Sequence, residues 1–162
     1  FPHSIYTIKL IRRGIDIRGG KDISVLKAHK VSEVMDSDFQ TMPASTPLAM
    51  IFDIIEHSHE SYYVVVDTVG HIKGVLSFQD IRSLLSQHSL DYLVIAQDLV
   101  KEAPVVVYSD DDLEQAFSLF GIRDLKLIPV VDKDHPDRVM GVIRREALVD
   151  YYNKRLIETL RR

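Results

Sequence analysis

The chain has 162 residues, 46% of them hydrophobic and 27% charged, the balance of a folded globular protein and not of a disordered one. Its 24 acidic residues outnumber 20 basic ones, giving a net charge of -4, so no overall positive field draws it to nucleic acid. It has no cysteine, which removes disulfides, thiol catalysis and cysteine zinc sites together, and no apolar run approaches the ~18 residues of a membrane helix.

In chain order, Phe1-Pro2-His3 stands where an initiator methionine is expected, so the sequence reads as a piece of a longer protein. Ser4 to Ile15 is apolar and ends in a basic cluster, and Arg18-Gly19-Gly20-Lys21-Asp22 has the composition of a flexible linker. Val31-Ser32-Glu33-Val34-Met35 is a short helical lead-in. Thr46-Pro47 then precedes Leu48, Ile51, Phe52 and Ile55, the i, i+3, i+4, i+7 pattern of an amphipathic helix. Thr46 is expected to cap that helix, with Pro47 at its first position. Val64-Val65-Val66-Asp67 reads as a strand closed by a turn residue, Gly74-Val75-Leu76 as a second strand, and Ile81, Leu84 and Leu85 as one face of a closing helix.

The same series then recurs. A second lead-in covers Ala96-Gln97-Asp98-Leu99-Val100, and Leu113, Ala116, Phe117 and Phe120 repeat the helix pattern 65 positions on, after the carboxylates of Asp110 to Asp112. Pro129-Val130-Val131-Asp132 answers the first strand at the same offset. Gly141-Val142-Ile143 answers the second at an offset of 67, with the two extra residues assigned to the turn Lys133 to Asp137. Leu148 opens the last helix. Each copy reads strand, helix, strand, turn, strand, helix, an α/β (α+β) chain of two repeats.

The ordered signature of a V-x-x-V-M lead-in, an apolar helix, a VVVD strand and G-V-L-S-F-Q-D before the last helix resembles the cystathionine-β-synthase (CBS) domain family over residues 31–152. The resemblance implies two repeats packed sheet against sheet with pseudo-twofold symmetry around a cleft that holds an adenine nucleotide. It divides the chain into residues 1–22, a first repeat over 23–90 and a second over 91–162. Ser4 to Ile15 also looks like the last membrane helix and exit segment of chloride channel/transporter (ClC) proteins, with Tyr6 at the place of the tyrosine that reaches the anion pathway. Lys9, Arg12, Arg13, Arg18 and Lys21 suit the cytoplasmic side of a membrane. An amphipathic N-terminal element of a soluble CBS protein would present the same residues.

The strongest candidate site is Gly74-Val75-Leu76-Ser77-Phe78-Gln79-Asp80. At a strand-to-helix junction, helix amides and the Ser77 hydroxyl can hold phosphate, and Asp80 can accept both ribose hydroxyls as the matching residue does in the family. The same two residues also form a capping box that needs no ligand. The second copy departs from the pattern, with Arg144 in place of Ser77 and Ala147 in place of Asp80, so at most one nucleotide per chain is expected. Arg144 and Arg145 either meet the phosphates of a ligand anchored at Asp80 or pair with Glu146 or Asp150. The adenine pocket would draw on Tyr62 and Tyr63 in one copy and Lys126 and Leu127 in the other, unless these are half-buried strand residues. His57 and His59 diverge on a helix and lack a third ligand, so no metal site is assigned. No catalytic residues are assigned either: neither G-x-S-x-G nor H-E-x-x-H occurs.

These residues describe a regulatory module and not an enzyme. The expected role is the CBS pair on the cytoplasmic face of a multi-pass chloride channel or chloride/proton antiporter. No cofactor is required; ATP, ADP or AMP would serve as regulatory ligand. The expected partners are the transmembrane ClC domain of the same chain and a second copy, paired through Leu84, Leu85, Leu148, Tyr151 and Tyr152. The alternative is a soluble adenine-nucleotide sensor that regulates an attached or partner enzyme.

Overall fold

The computed structural model describes residues 20–82, 84, 92–100 and 104–161. Strand alternation and helical periodicity resolve into two copies of one unit. The first has β1 (Thr41–Pro43), α2 (Leu48–Glu56), β2 (Tyr62–Val66), β3 (Ile72–Ser77) and α3 (Phe78–Arg82). The second has β4 (Val107–Tyr108), α5 (Leu113–Ile122), β5 (Leu127–Asp132), β6 (His135–Arg144) and α6 (Arg145–Leu160). Helix α1 (Gly20–Lys27) precedes a 3-10 turn (Val31–Glu33), and the one-turn α4 (Ala96–Leu99) separates the copies. Helix α1 therefore begins inside the stretch expected to be a linker. The ClC-like segment, with Tyr6, lies outside the described residues, and no helix among those described is long and apolar enough to cross a membrane.

Each copy forms a three-stranded sheet, β1-β2-β3 and β4-β5-β6, in which the first pair is parallel and the second antiparallel. Both antiparallel ladders shift register at the same place, after Val65 and after Val130. The two extra residues of the second copy do not widen the turn as expected. They lengthen β6, which pairs back to Asp132↔His135 through a second register shift.

Along each strand, alternate residues serve different cores. Tyr63 and Val65 of β2 face the helices of the first repeat, with Met42, Leu48, Ile51, Leu76 and Ile81. Val64 faces the other sheet and packs with Ile72, Leu127, Val131 and Val142, so the two sheets are joined by a core of their own. The helical core of the second repeat holds Leu113, Phe117, Phe120, Ile128, Ile143, Leu148 and Tyr152. Leu148 and Tyr152, expected at a surface between copies of the chain, are thus buried within one chain.

The lead-ins cross. Val31 is fully buried in the core of the second repeat, and Ala96 in that of the first. Three backbone bonds fix each crossing at matching positions. Leu113 N–H donates to the His29 carbonyl (2.9 Å), Val31 N–H to Asp111 (2.8 Å) and Ser32 N–H to Ser109 (2.9 Å). In the other direction Leu48 N–H donates to Val94 (2.9 Å), Ala96 N–H to Thr46 (2.9 Å) and Gln97 N–H to Ala44 (3.0 Å). Helix starts carry amides with no partner inside the helix, and here the opposite lead-in supplies one. That explains why Thr46 does not cap α2 as expected. Its hydroxyl turns back to the Pro43 carbonyl (2.7 Å), and Pro47 takes the N-cap position. Asp112 does cap α5, accepting from Gln115 N–H (3.1 Å).

Gly74 marks where a lead-in touches the opposite sheet. Its φ of +156 is open to glycine, and a Cβ there would overlap the Val100 side chain. We expect Gly74→Ala to destabilise the fold by about 2 kcal/mol or more from strain and overpacking together. Gly141→Ala, whose Cβ would lie 3.2 Å from Met35 Sδ and 3.0 Å from the Asp36 carbonyl, should cost less. Thermal melts of both variants check the ranking. Tyr63 carries a buried hydroxyl with no hydrogen-bond partner among the described residues. Tyr63→Phe should therefore leave stability unchanged or raise it by up to about 1 kcal/mol, whereas a loss of that size in denaturant titration would reveal a hidden partner.

Candidate functional site

The chain passes from strand to helix at two pseudo-equivalent junctions, β3–α3 and β6–α6, and a cleft opens at each. In both copies the amide that begins the closing helix bonds to the carbonyl one residue before the paired strand residue, Tyr62 or Leu127: Phe78 N–H to Ser61 (3.0 Å) and Arg145 N–H to Lys126 (3.0 Å). The backbone frame of the two junctions is thus shared, and they differ in side chains.

The first cleft has a volume of about 480 Å³. Ser77, Gln79 and Asp80 line it from the β3–α3 junction, and Tyr62 from the strand beside. Leu99, Val100, Pro104 and Val105 form an apolar wall, and Asp124 to Leu127 close the side belonging to the second repeat. Ser77 and Asp80 form a reciprocal capping box. Ser77 N–H donates to Asp80 Oδ2 (3.2 Å), and Asp80 N–H donates to Ser77 Oγ (3.2 Å). The second carboxylate oxygen of Asp80 is not part of that exchange, so capping and ligand binding do not exclude each other. Burial raises the Tyr62 pKa above the ordinary phenol value, and the carboxylates of Asp80 and Asp124 add to the rise. The Tyr62 hydroxyl consequently keeps its proton and can donate.

The second cleft, about 540 Å³, is lined by Arg144, Arg145, Glu146, Val149 and Asp150 from β6–α6, with His59 to Tyr62 and Lys126 opposite. Its lining carries charges of both signs and lacks the apolar wall of the first. Arg144, at the place of Ser77, is the N-cap residue of α6 yet makes no side-chain cap. Its guanidinium pairs with neither Glu146 nor Asp150, as expected of a surface arginine, but with Asp36 Oδ2 at 3.1 Å. Asp36 belongs to the crossing lead-in and exchanges two backbone bonds with Val142 (2.8 and 2.9 Å). An ion pair between the two repeats thus sits at the position where the first cleft offers a serine.

Of the expected site residues, Ser77, Asp80, Tyr62, Lys126 and Leu127 come together in the first cleft, and Arg144 and Arg145 line the second. Tyr62 and Lys126 line both, so the two clefts meet there. Tyr63 joins neither. It is the strand neighbour of Tyr62, points to the opposite face and is 3% exposed inside the first helical core. Period-2 alternation alone separates the two tyrosines. Leu99, Val100, Pro104, Val105, Asp124 and Asp36 were not anticipated, because the lead-ins were assigned to the repeats they precede. The demand for glycine at position 74 was the available signal that another segment approaches closely. Asp53, Glu56 and His57 bring three potential metal-ligand atoms within 4.8 Å of one another, all exposed. His57 is held by the Asp53 carbonyl (2.9 Å), which raises its pKa and favours the protonated ring, a poor metal ligand.

Comparison with known proteins agrees with this geometry. The model of the CBS domain matches residues 31–87 and 96–154. A homoserine O-acetyltransferase of Methanosarcina acetivorans is 24% identical over 126 residues, 76% of this chain and 22% of that protein. A magnesium transporter, MgtE, of Thermus thermophilus is 32% identical over 96 residues, 55% of this chain and 18% of that protein. A carnitine transport ATP-binding protein of Listeria monocytogenes is 26% identical over 121 residues, 75% of this chain and 29% of that protein. The chain thus spans less than a third of the length of each of these relatives. Among solved structures, the CBS domain of a bacterial CNNM/CorC family Mg2+ transporter in complex with ATP superposes with a TM-score of 0.71 at 18% identity, covering 82% of this chain and 93% of that one. CbpB in complex with c-di-AMP gives a TM-score of 0.66 at 14% identity, covering 86% and 95%. With two matched copies, crossed lead-ins and paired sheets, the chain belongs to the CBS domain family as a tandem pair.

Proposed function

We propose that this CBS pair is the regulatory module of a membrane transport protein and that it senses an adenine nucleotide in the first cleft. One observation carries the reading. An apolar wall and the Asp80 carboxylate line the first cleft, and cationic side chains line the second, which adjoins it at Tyr62 and Lys126. The base would lie against Leu99, Val100 and Val105, and Asp80 would accept the ribose hydroxyls through the carboxylate oxygen its capping bond leaves over. The phosphates would run past Tyr62 and Lys126 toward Arg145, where a guanidinium binds oxyanions bidentately. The ATP carried by a structural relative and the c-di-AMP carried by another support an adenine ligand.

Such a ligand contacts both repeats, so it favours one relative placement of them and shifts the population toward it. No bond is made or broken in this mechanism, which is regulatory and not enzymatic. The magnesium and carnitine transport proteins among its relatives support attachment to a transporter. The resemblance of Ser4 to Ile15 to the ClC exit segment favours a chloride channel or exchanger as that parent, in which Tyr6 would reach the anion pathway and this module would lie on the cytoplasmic face. A second reading, a soluble module that regulates an attached enzyme, is favoured by the likeness to the acetyltransferase.

Calorimetric titration with ATP, ADP, AMP and adenosine tests the site. Asp80→Asn keeps an oxygen for the Ser77 amide and removes the charge that would hold the ribose. It should weaken every adenine ligand by about tenfold or more. Arg145→Ala should weaken ATP by a similar factor and leave adenosine unchanged. An unaltered affinity in Asp80→Asn would mean that the Ser77–Asp80 pair is a cap and nothing else.

A further inference from the structure

Arg144 lines the second cleft, yet its guanidinium is turned to Asp36 Oδ2 at 3.1 Å. Asp36 is fixed by the backbone around it. Its N–H and carbonyl exchange bonds with Val142 (2.8 and 2.9 Å), and its other carboxylate oxygen, Oδ1, accepts from the Asp38 N–H (2.8 Å). Gly141 lets the segment sit so close, since a Cβ there would lie 3.0 Å from the Asp36 carbonyl. Arg144 is the N-cap residue of α6 but makes no side-chain cap, so its long side chain is the movable half of the pair.

Water reaches both ends of this pair: the Arg144 side chain is 31% exposed and that of Asp36 53%. An ion pair so placed has a small net worth, because each charge can exchange its partner for solvent or for another ion. Asp36 also presents only one oxygen to the guanidinium, the other being committed to Asp38. A phosphate offers two oxygens to parallel N–H donors and is the stronger partner.

We infer that Asp36 competes with the phosphate end of the ligand for Arg144, and so sets how strongly the clefts favour a long phosphate chain. The inference rests on the adenine-nucleotide reading given above. On that reading the phosphates run past Tyr62 and Lys126, the residues common to both clefts, and only the distal ones enter the second. There Arg144 must leave Asp36 before it can hold them. The apparent affinity for a triphosphate is reduced by the fraction of molecules in which Arg144 is not released. Adenosine and AMP stop short of Arg144 and do not meet the competition.

Calorimetric titration with adenosine, AMP and ATP, with thermal melts as a control for folding, tests the inference. Asp36→Asn keeps the backbone bonds and an oxygen for the Asp38 amide, and removes the charge that holds Arg144. It should tighten ATP about three- to fivefold, the range that a half-exposed pair can withhold, and leave adenosine and AMP unchanged. In an Arg144→Ala background the same substitution should have no effect on ATP. A gain that persists without Arg144 would be a plain field effect of the lost carboxylate and would overturn the inference. So would an unaltered ATP affinity in Asp36→Asn, or a shift that adenosine shares. ATP binding that Asp80→Asn weakens and Asp36→Asn leaves alone would sink this inference and keep the site, whereas no binding of any adenine ligand would remove both.

Discussion

The structure depends on the crossing of the two lead-ins. Each carries a buried residue, Val31 or Ala96, into the helical core of the other repeat, and each is fixed there by three backbone hydrogen bonds. One bond of each three meets the amide that begins α2 or α5, Leu48 or Leu113, which neither helix can satisfy from within. A buried amide left without a partner costs about 1–3 kcal/mol. Neither repeat can therefore complete its helix start or its core alone, and the position of one on the other follows from local chain geometry. The sheet-to-sheet core of Val64, Ile72, Leu127, Val131 and Val142 then has one register in which to form.

The clefts are a by-product of that arrangement. Because Leu99 and Val100 cross over, the wall facing Ser77 and Asp80 comes from the segment that introduces the other repeat, and Gly74 is the concession that lets it approach. Asp36 makes the mirrored approach at Val142. The two junctions have diverged on this common frame. One keeps a serine and a carboxylate that cap each other, and the other places a guanidinium that reaches Asp36. Chemical asymmetry sits on geometric symmetry, and it arises over four successive positions, Ser77, Phe78, Gln79 and Asp80 against Arg144, Arg145, Glu146 and Ala147.

Much of this was legible in the sequence because the signals are local. The apolar spacing of Leu48, Ile51, Phe52 and Ile55 and its recurrence at Leu113 to Phe120 place the helices, and the paired valine runs place the strands. The reading failed where the cause is non-local. Thr46 was read as a cap because its type and position suit one, but Val94 from the other repeat supplies the partner. For Arg144 the sequence suggests a ligand phosphate, Glu146 or Asp150 as partner, and not Asp36, because Asp36 lies 108 positions away. Tyr63 was a different kind of failure. Alternation along β2 was enough to set it apart from Tyr62, and naming the two together overlooked a local rule.

The reciprocal contacts also bear on how such a chain could arise. A lead-in that completes a neighbouring repeat does so equally well whether the two repeats share a chain or not, since each of the three bonds that fix one crossing has its counterpart in the other. A half-length ancestor would have satisfied the same contacts by trading lead-ins with an identical molecule. Joining two such genes end to end changes no contact. It replaces an association between separate molecules with one at the high effective concentration of a single chain, and it frees the two copies to mutate independently. The mismatch between the serine-carboxylate junction and its arginine-alanine twin is then a substitution record that a symmetric ancestor had no means of writing.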